Sequence, residues 1–98
     1  MTPHDLYDSA LGACNALSTL WYAQRKQIPV DDIRVTVERE DAEERHGIYR
    51  LRVTLDVTGA LTDGQRQELL NVAANCPVHK LMMQATTEIV TEFAPPER

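Results

Sequence analysis

Two periodicities divide this chain. Leu6, Ala10, Ala13, Cys14, Leu17 and Trp21 recur at the spacing of a helix with one buried stripe. Thr2-Pro3-His4-Asp5 opens that helix. Thr2 can cap the first amides, Pro3 suits the first helical position, and Asp5 completes a capping-box spacing. Ile28-Pro29 stops it. The pattern therefore predicts a helix over Pro3–Gln27, a rod of about 36 Å. After it the period changes to two. Ile33, Val35 and Val37 alternate with Arg34, Thr36 and Glu38, and Leu51, Val53, Leu55 and Val57 alternate with Arg52, Thr54 and Asp56. Between these two strands, Arg39 to Gly47 reads as a charged, solvated hairpin connection.

Thr62-Asp63-Gly64-Gln65 is a second capping box, leading a helix through about Asn75 with Leu69, Val72 and Ala73 inward. Pro77 would break that helix but suits the first turn of a new one, over Pro77 to Met83, with Cys76 at its N-cap. Thr86 to Phe93 alternates weakly and is expected to be a closing strand, followed by a tail from Ala94 to Arg98. The expected order is helix, strand, strand, helix, short helix, strand: a single α+β domain over residues 1–98 with an antiparallel sheet packed against the long helix.

Composition narrows the function classes. A chain of 98 residues compacts to a radius of gyration of about 13 Å, so the long rod is expected to pack against a second copy of the chain. The net charge of −5 argues against a nucleic-acid footprint. No apolar run reaches membrane-spanning length, and the polar MTPHD start is unlike a secretion signal, which points to the cytoplasm. In that compartment two cysteines suit redox or metal chemistry, or free thiols, better than a permanent crosslink.

The candidate chemistry lies in those two cysteines. Cys76 precedes Pro77 at a helix start, where unpaired amides and the helix dipole favour thiolate, with His79 and Lys80 adding donor or positive character. The same position also suits a small buried apolar residue. Cys14 sits mid-helix amid Ser9-Ala10-Leu11-Gly12-Ala13-Cys14-Asn15-Ala16, a run of small residues that lets another helix or a ligand approach closely. A mid-helix thiol needs a nearby cation or donor to become a good nucleophile. A metal site from Cys76, His79, Cys14 and His4 lacks a Cys-x-x-Cys or second cluster. Trp21, Tyr22, Met82 and Met83 suit core or interface packing, and His46 is expected in solvent.

The stretch PHDLYDSALGACNALSTLWYAQRK, the IPVDDIRVTVE segment and AANCPVHKL together resemble the OsmC/Ohr family of thiol-dependent peroxide reductases. In that family a long helix carries a cysteine eleven residues after a proline, as Cys14 follows Pro3 here, and a later CP-V turn carries the second, as Cys76 does. The resemblance implies an intertwined homodimer and a catalytic pair, Cys14 attacking an organic hydroperoxide and Cys76 closing a disulfide that a cellular dithiol reduces. It calls for no cofactor and no metal. Family members also have N-terminal strands supplying an arginine that activates the first cysteine. This sequence starts at Met1 almost on the long helix, and His4 stands where the organic-hydroperoxide branch has a glutamate, so the broader OsmC-like group is the better likeness. Arg25, Arg50 and Arg52 are the candidates for replacing the arginine, with nothing in the sequence selecting among them and solvated or strand-face positions the expected reading. The alternative is a non-catalytic domain of the same fold that binds a small apolar ligand or a protein partner.

Overall fold

A computed structural model describes residues 1–95. The long helix α1 runs Pro3–Arg25 and its N-terminus is closed as expected. The Thr2 hydroxyl accepts from the Asp5 amide at 3.1 Å, and the Thr2 amide donates to the Asp5 carboxylate at 2.9 Å. α1 ends two residues short of Gln27 because Gln27 adopts a left-handed backbone, φ 57°. The Gln27 amide then reaches Gln24 O and the Ile28 amide reaches Ala23 O, the double closure of a Schellman motif.

Strand β1 spans Val30–Glu40 and pairs antiparallel with β2, Arg50–Gly59, as a two-stranded sheet. The strands run further into the charged segment than the sequence pattern implies, leaving Glu44–His46 as a single 3-10 turn. Ile33, Val35 and Val37 share the covered face with Leu51, Val53, Leu55 and Val57, while the charged alternates face solvent. At its end Gly59 is obligatory. Its φ is +144°, and a Cβ there would lie 2.2 Å from the Pro29 carbonyl oxygen, far inside van der Waals contact.

α2 spans Asp63–Ala74 behind a Thr62–Gln65 capping box, with Leu69 and Ala73 buried. α3 spans Pro77–Gln84 with Cys76 as its N-cap. The buried cluster is Ala23, Ile28, Val57 and Leu69, flanked by Tyr22, Val30, Ile33, Leu55 and Leu61, so it gathers at the C-terminal end of α1.

Three expectations are corrected. The α1 stripe that faces inward is Asp8, Leu11, Asn15, Thr19 and Ala23; Leu6, Leu17 and Trp21 lie in solvent. The inward residues are smaller or polar because α1 lies close on β1 and α2. Gly12 shows this directly, since a Cβ there would sit 3.1 Å from Val37 Cγ2. The close approach that Gly12 permits is thus to a strand, not to another helix or a ligand. Second, no strand forms over Thr86 to Phe93. Among the described residues both outer edges of the β1–β2 sheet stay open, and the segment pairs with neither. Its Ile89, Val90 and Phe93 side chains lie in solvent. Third, Met83 is exposed rather than filling the core. The predicted tail from Ala94 lies mostly outside the described residues.

The molecule is extended. Its radius of gyration is 17.3 Å, against about 13 Å for a compact chain of this length. Its accessible surface is 7985 Å², where a compact monomer of its mass exposes about 5,700 Å². Among the described residues no helix is long and apolar enough to cross a membrane.

Candidate functional site

α1 and α3 bring the two cysteines together. Cys76 is buried, and as the α3 N-cap its sulfur accepts the His79 backbone N–H at 3.3 Å. Cys14, in the middle of α1, is half-buried. The two thiols face each other closely enough to perturb each other's ionisation. Ser18, one turn along α1, places its hydroxyl 3.8 Å from the Cys14 sulfur.

The same helix start serves both sulfurs. Burial opposes ionisation of Cys14, but the Val78 backbone N–H, the Cys76 thiol and the Ser18 hydroxyl together hold its thiol below the ordinary value. A mid-helix thiol has no helix end of its own, and here the first turn of α3 provides one. Burial pushes the Cys76 thiol up, and its neighbour Cys14 adds to that, outweighing the His79 and Val78 amides. The pair is therefore asymmetric. Cys14 is the more accessible and more readily ionised thiol, and Cys76 is the sequestered one. Both are free.

The arginines named from the sequence are elsewhere. Arg25 lies 4.9 Å over the Trp21 ring, and Arg50 pairs with Glu43 at 3.0 Å. Arg52 is exposed on β2. None of them acts on Cys14, whose ionisation is governed by α3 and Ser18. His4 pairs with Glu44 at 2.7 Å, and among the described residues no three His, Cys, Asp or Glu side chains converge as a metal ion would need.

Sequence reasoning missed four contributors. Ser18 stands four residues from Cys14, a spacing that places both on one helical face and was legible. Asn15 and the Val78 amide were not, because their roles arise only when α3 docks. The fourth is a part-buried ionic cluster near the N-terminal end of α1. Asp8 is 6% exposed and accepts from Arg39 Nε and the Tyr49 hydroxyl, both at 2.7 Å. Arg39 also pairs with Asp5. Burial and the Asp8 carboxylate push the Tyr49 phenol up to about 12. A groove of about 310 Å³ runs between this cluster and α3, lined by Leu11, Tyr49, Leu51, Val53, His79 and Met82.

A family model described as "OsmC-like protein" matches residues 1–92. Among solved structures, the chain is similar to the OsmC like protein of Mycoplasma pneumoniae, at 19% identity and TM-score 0.71, over 86% of this chain and 63% of that one. It is also similar to the organic hydroperoxide resistance protein OhrB of Bacillus subtilis, at 28% identity and TM-score 0.59, over 86% of this chain and 64% of that one. The chain thus spans less than two thirds of either protein. No functionally curated protein matches it.

Proposed function

The chain belongs to the OsmC-like protein family, and on that premise we propose that it is a thiol-dependent peroxide reductase with Cys14 as the attacking thiol and Cys76 as the resolving one. The observation that carries this reading is the placement of the pair: a half-buried Cys14 thiol beside the Ser18 hydroxyl and the first turn of α3, facing a buried Cys76 thiol, with the Cys14 thiol held below its ordinary ionisation range and Cys76 above it. Thiolate is the nucleophile in peroxide attack. The Cys14 thiolate attacks one peroxide oxygen, the O–O bond breaks, and the alkoxide leaves with a proton as alcohol. The resulting sulfenic acid is attacked by the Cys76 thiolate. An S–S bond forms, the S–O bond breaks, and hydroxide leaves as water, before the sulfur is oxidised further. A dithiol reductant then returns both thiols. An organic hydroperoxide is the proposed substrate, with Leu11, one turn before Cys14 on α1, as an apolar side chain to hold its tail.

The same reading includes a homodimer in the cytoplasm, where both thiols stay reduced between turnovers. The surface excess of about 2,300 Å² per chain over a compact monomer gives a two-chain total within the roughly 2,000–5,000 Å² that obligate dimers bury. Exposed Leu17 and Trp21 on α1, with Ile89, Val90 and Phe93, are the apolar surface to be covered.

Turnover of cumene hydroperoxide with dithiothreitol tests the activity, with Cys14→Ser as the control. Wild-type turnover and an inert variant are expected; turnover that survives in Cys14→Ser removes the assignment. Light scattering over a dilution series tests the assembly, and a clean monomer at micromolar concentration removes the dimer.

A further inference from the structure

Asn15 follows Cys14 directly in sequence, yet its side chain serves the other cysteine. It is 3% exposed. Its amide nitrogen donates to the Leu11 carbonyl of its own helix at 3.0 Å and to the Cys76 sulfur at 3.3 Å. The first bond fixes the direction of the side chain, so the second N–H is aimed rather than incidental. With the His79 amide, also at 3.3 Å, the Cys76 sulfur accepts two N–H donors from two different elements. The His79 bond belongs to any N-cap. The Asn15 bond does not, because it crosses from α1 to α3 and ties the resolving sulfur to the residue beside its target.

From this geometry we infer that Asn15 is a positioning residue for the resolving thiol, holding the Cys76 sulfur against α1 and stabilising its thiolate for attack on Cys14. The inference rests on the reading of Cys14 and Cys76 as a working pair. A buried amide at this place has a clear physical effect. An N–H that donates to sulfur favours the charged form over the thiol. Cys76 needs that help, since it is sequestered from water. The ionisable side chain that acts on it is Cys14 of α1, whose negative charge opposes a second thiolate; α3 contributes the Val78 and His79 amides. Once Cys14 is capped by oxygen or by another sulfur, that opposing charge is gone and the amide donors act alone. The arrangement thus delays ionisation of Cys76 until its target is ready.

The test uses the reduced protein and an aromatic disulfide reagent, 5,5′-dithiobis(2-nitrobenzoate). Cys14 attacks the reagent, an S–S bond to the aryl sulfur forms, and one coloured aryl thiolate leaves. Cys76 then attacks the Cys14 sulfur, the protein disulfide forms, and the second aryl thiolate leaves. In Asn15→Leu and Asn15→Asp the second phase should slow by a larger factor than the first, whose own rate depends on Cys76 and α3 staying docked. The second should slow at least about tenfold, as expected for loss of one hydrogen bond to a charged sulfur, and its pH midpoint should move upward, further for Asn15→Asp. Asn15→Asp differs from the native residue by one group, which preserves the test if the leucine variant does not fold. A second phase unchanged in rate and pH midpoint overturns the inference, as does a wild type with no second phase. A wild type with both phases that fails to reduce cumene hydroperoxide leaves the inference standing and removes the peroxidase reading.

Discussion

If the first turn of α3 activates Cys14, then deleting one N–H should disarm it without touching its side chain. The Val78 backbone amide is that N–H. Val78 is the second residue of α3, after Pro77, where the amide has no partner inside its own helix. Proline is tolerated in a first turn for the same reason. Val78→Pro therefore removes the donor while keeping the helix, and Val78→Ala removes the side chain while keeping the donor. A hydrogen bond to a charged group is worth about 1.5–3 kcal/mol, and 1.4 kcal/mol is about tenfold in rate or equilibrium. The sign is fixed: loss of a donor to thiolate raises the Cys14 value, so the reactive form appears only at higher pH. In a Cys76→Ser background, iodoacetamide should alkylate Cys14 about tenfold more slowly at pH 7 in Val78→Pro, with the profile displaced toward alkaline pH. Val78→Ala should follow the parent. Circular dichroism guards against the strain that a proline imposes on Pro77 before it. A folded Val78→Pro with the parent's alkylation profile refutes the argument.

Other consequences concern stability, each measured at fixed protein concentration because assembly shifts apparent values. Gly59→Ala forces a Cβ against the Pro29 carbonyl at a left-handed backbone position, and should cost about 2–4 kcal/mol in urea unfolding; a loss under about 0.5 kcal/mol contradicts the geometry. Thr19 is fully buried and its hydroxyl has no partner among the described residues, so the near-isosteric Thr19→Val should raise stability by about 1 kcal/mol, and a loss of that size would mean that the hydroxyl is hydrogen-bonded after all. Tyr49→Phe should cost about 1–2 kcal/mol at neutral pH, from the lost bond to the Asp8 carboxylate. Because the folded phenol lies above its unfolded value of 10.0, at about 12, that contribution is whole below pH 10 and fades between 10 and 12. A wild-type-minus-variant difference that stays constant across that window speaks against the Tyr49–Asp8 bond.

Local signals carried most of the elements into the sequence reading. Capping boxes at Thr2 and Thr62, the stop at Ile28-Pro29 and the Cys76-Pro77 start are short-range devices, and each lies where its residues indicate. What failed required knowledge of the neighbour. The apolar stripe Leu6–Leu17–Trp21 has the right period for a buried face, but periodicity reports that a face wants cover and is silent about which surface supplies it. The chain covers the Leu11–Asn15–Thr19 face instead. Thr86 to Phe93 failed similarly, because alternation shows a strand-forming pattern and is silent about whether the segment docks on a sheet edge; among the described residues both outer edges of β1–β2 are left unpaired. At the candidate site, Pro77 marked Cys76 as a helix start, and it was the family resemblance that singled out Cys14 and Cys76 as a pair. Asn15, the Val78 amide and the Arg39–Asp8–Tyr49 cluster were not legible, since each joins residues more than thirty positions apart and none follows from a local rule.

α3 is lightly attached. Beyond its N-cap Cys76 it has no buried residue, and its principal contact is with α1. Such segments sit at the low end of local stability and open before the rest of a domain. Each opening carries the Val78 amide and Cys76 away from Cys14 together, so the reactivity of Cys14 rises and falls with the docking of one short helix. A Cys14–Cys76 bond would end that fluctuation. It closes a loop of about 63 residues, which by the chain-entropy relation removes about 4 kcal/mol of freedom from the unfolded chain. If α3 opens in the reduced protein and such a bond holds it closed in the oxidised one, backbone amide exchange in that helix would be a direct record of the redox state.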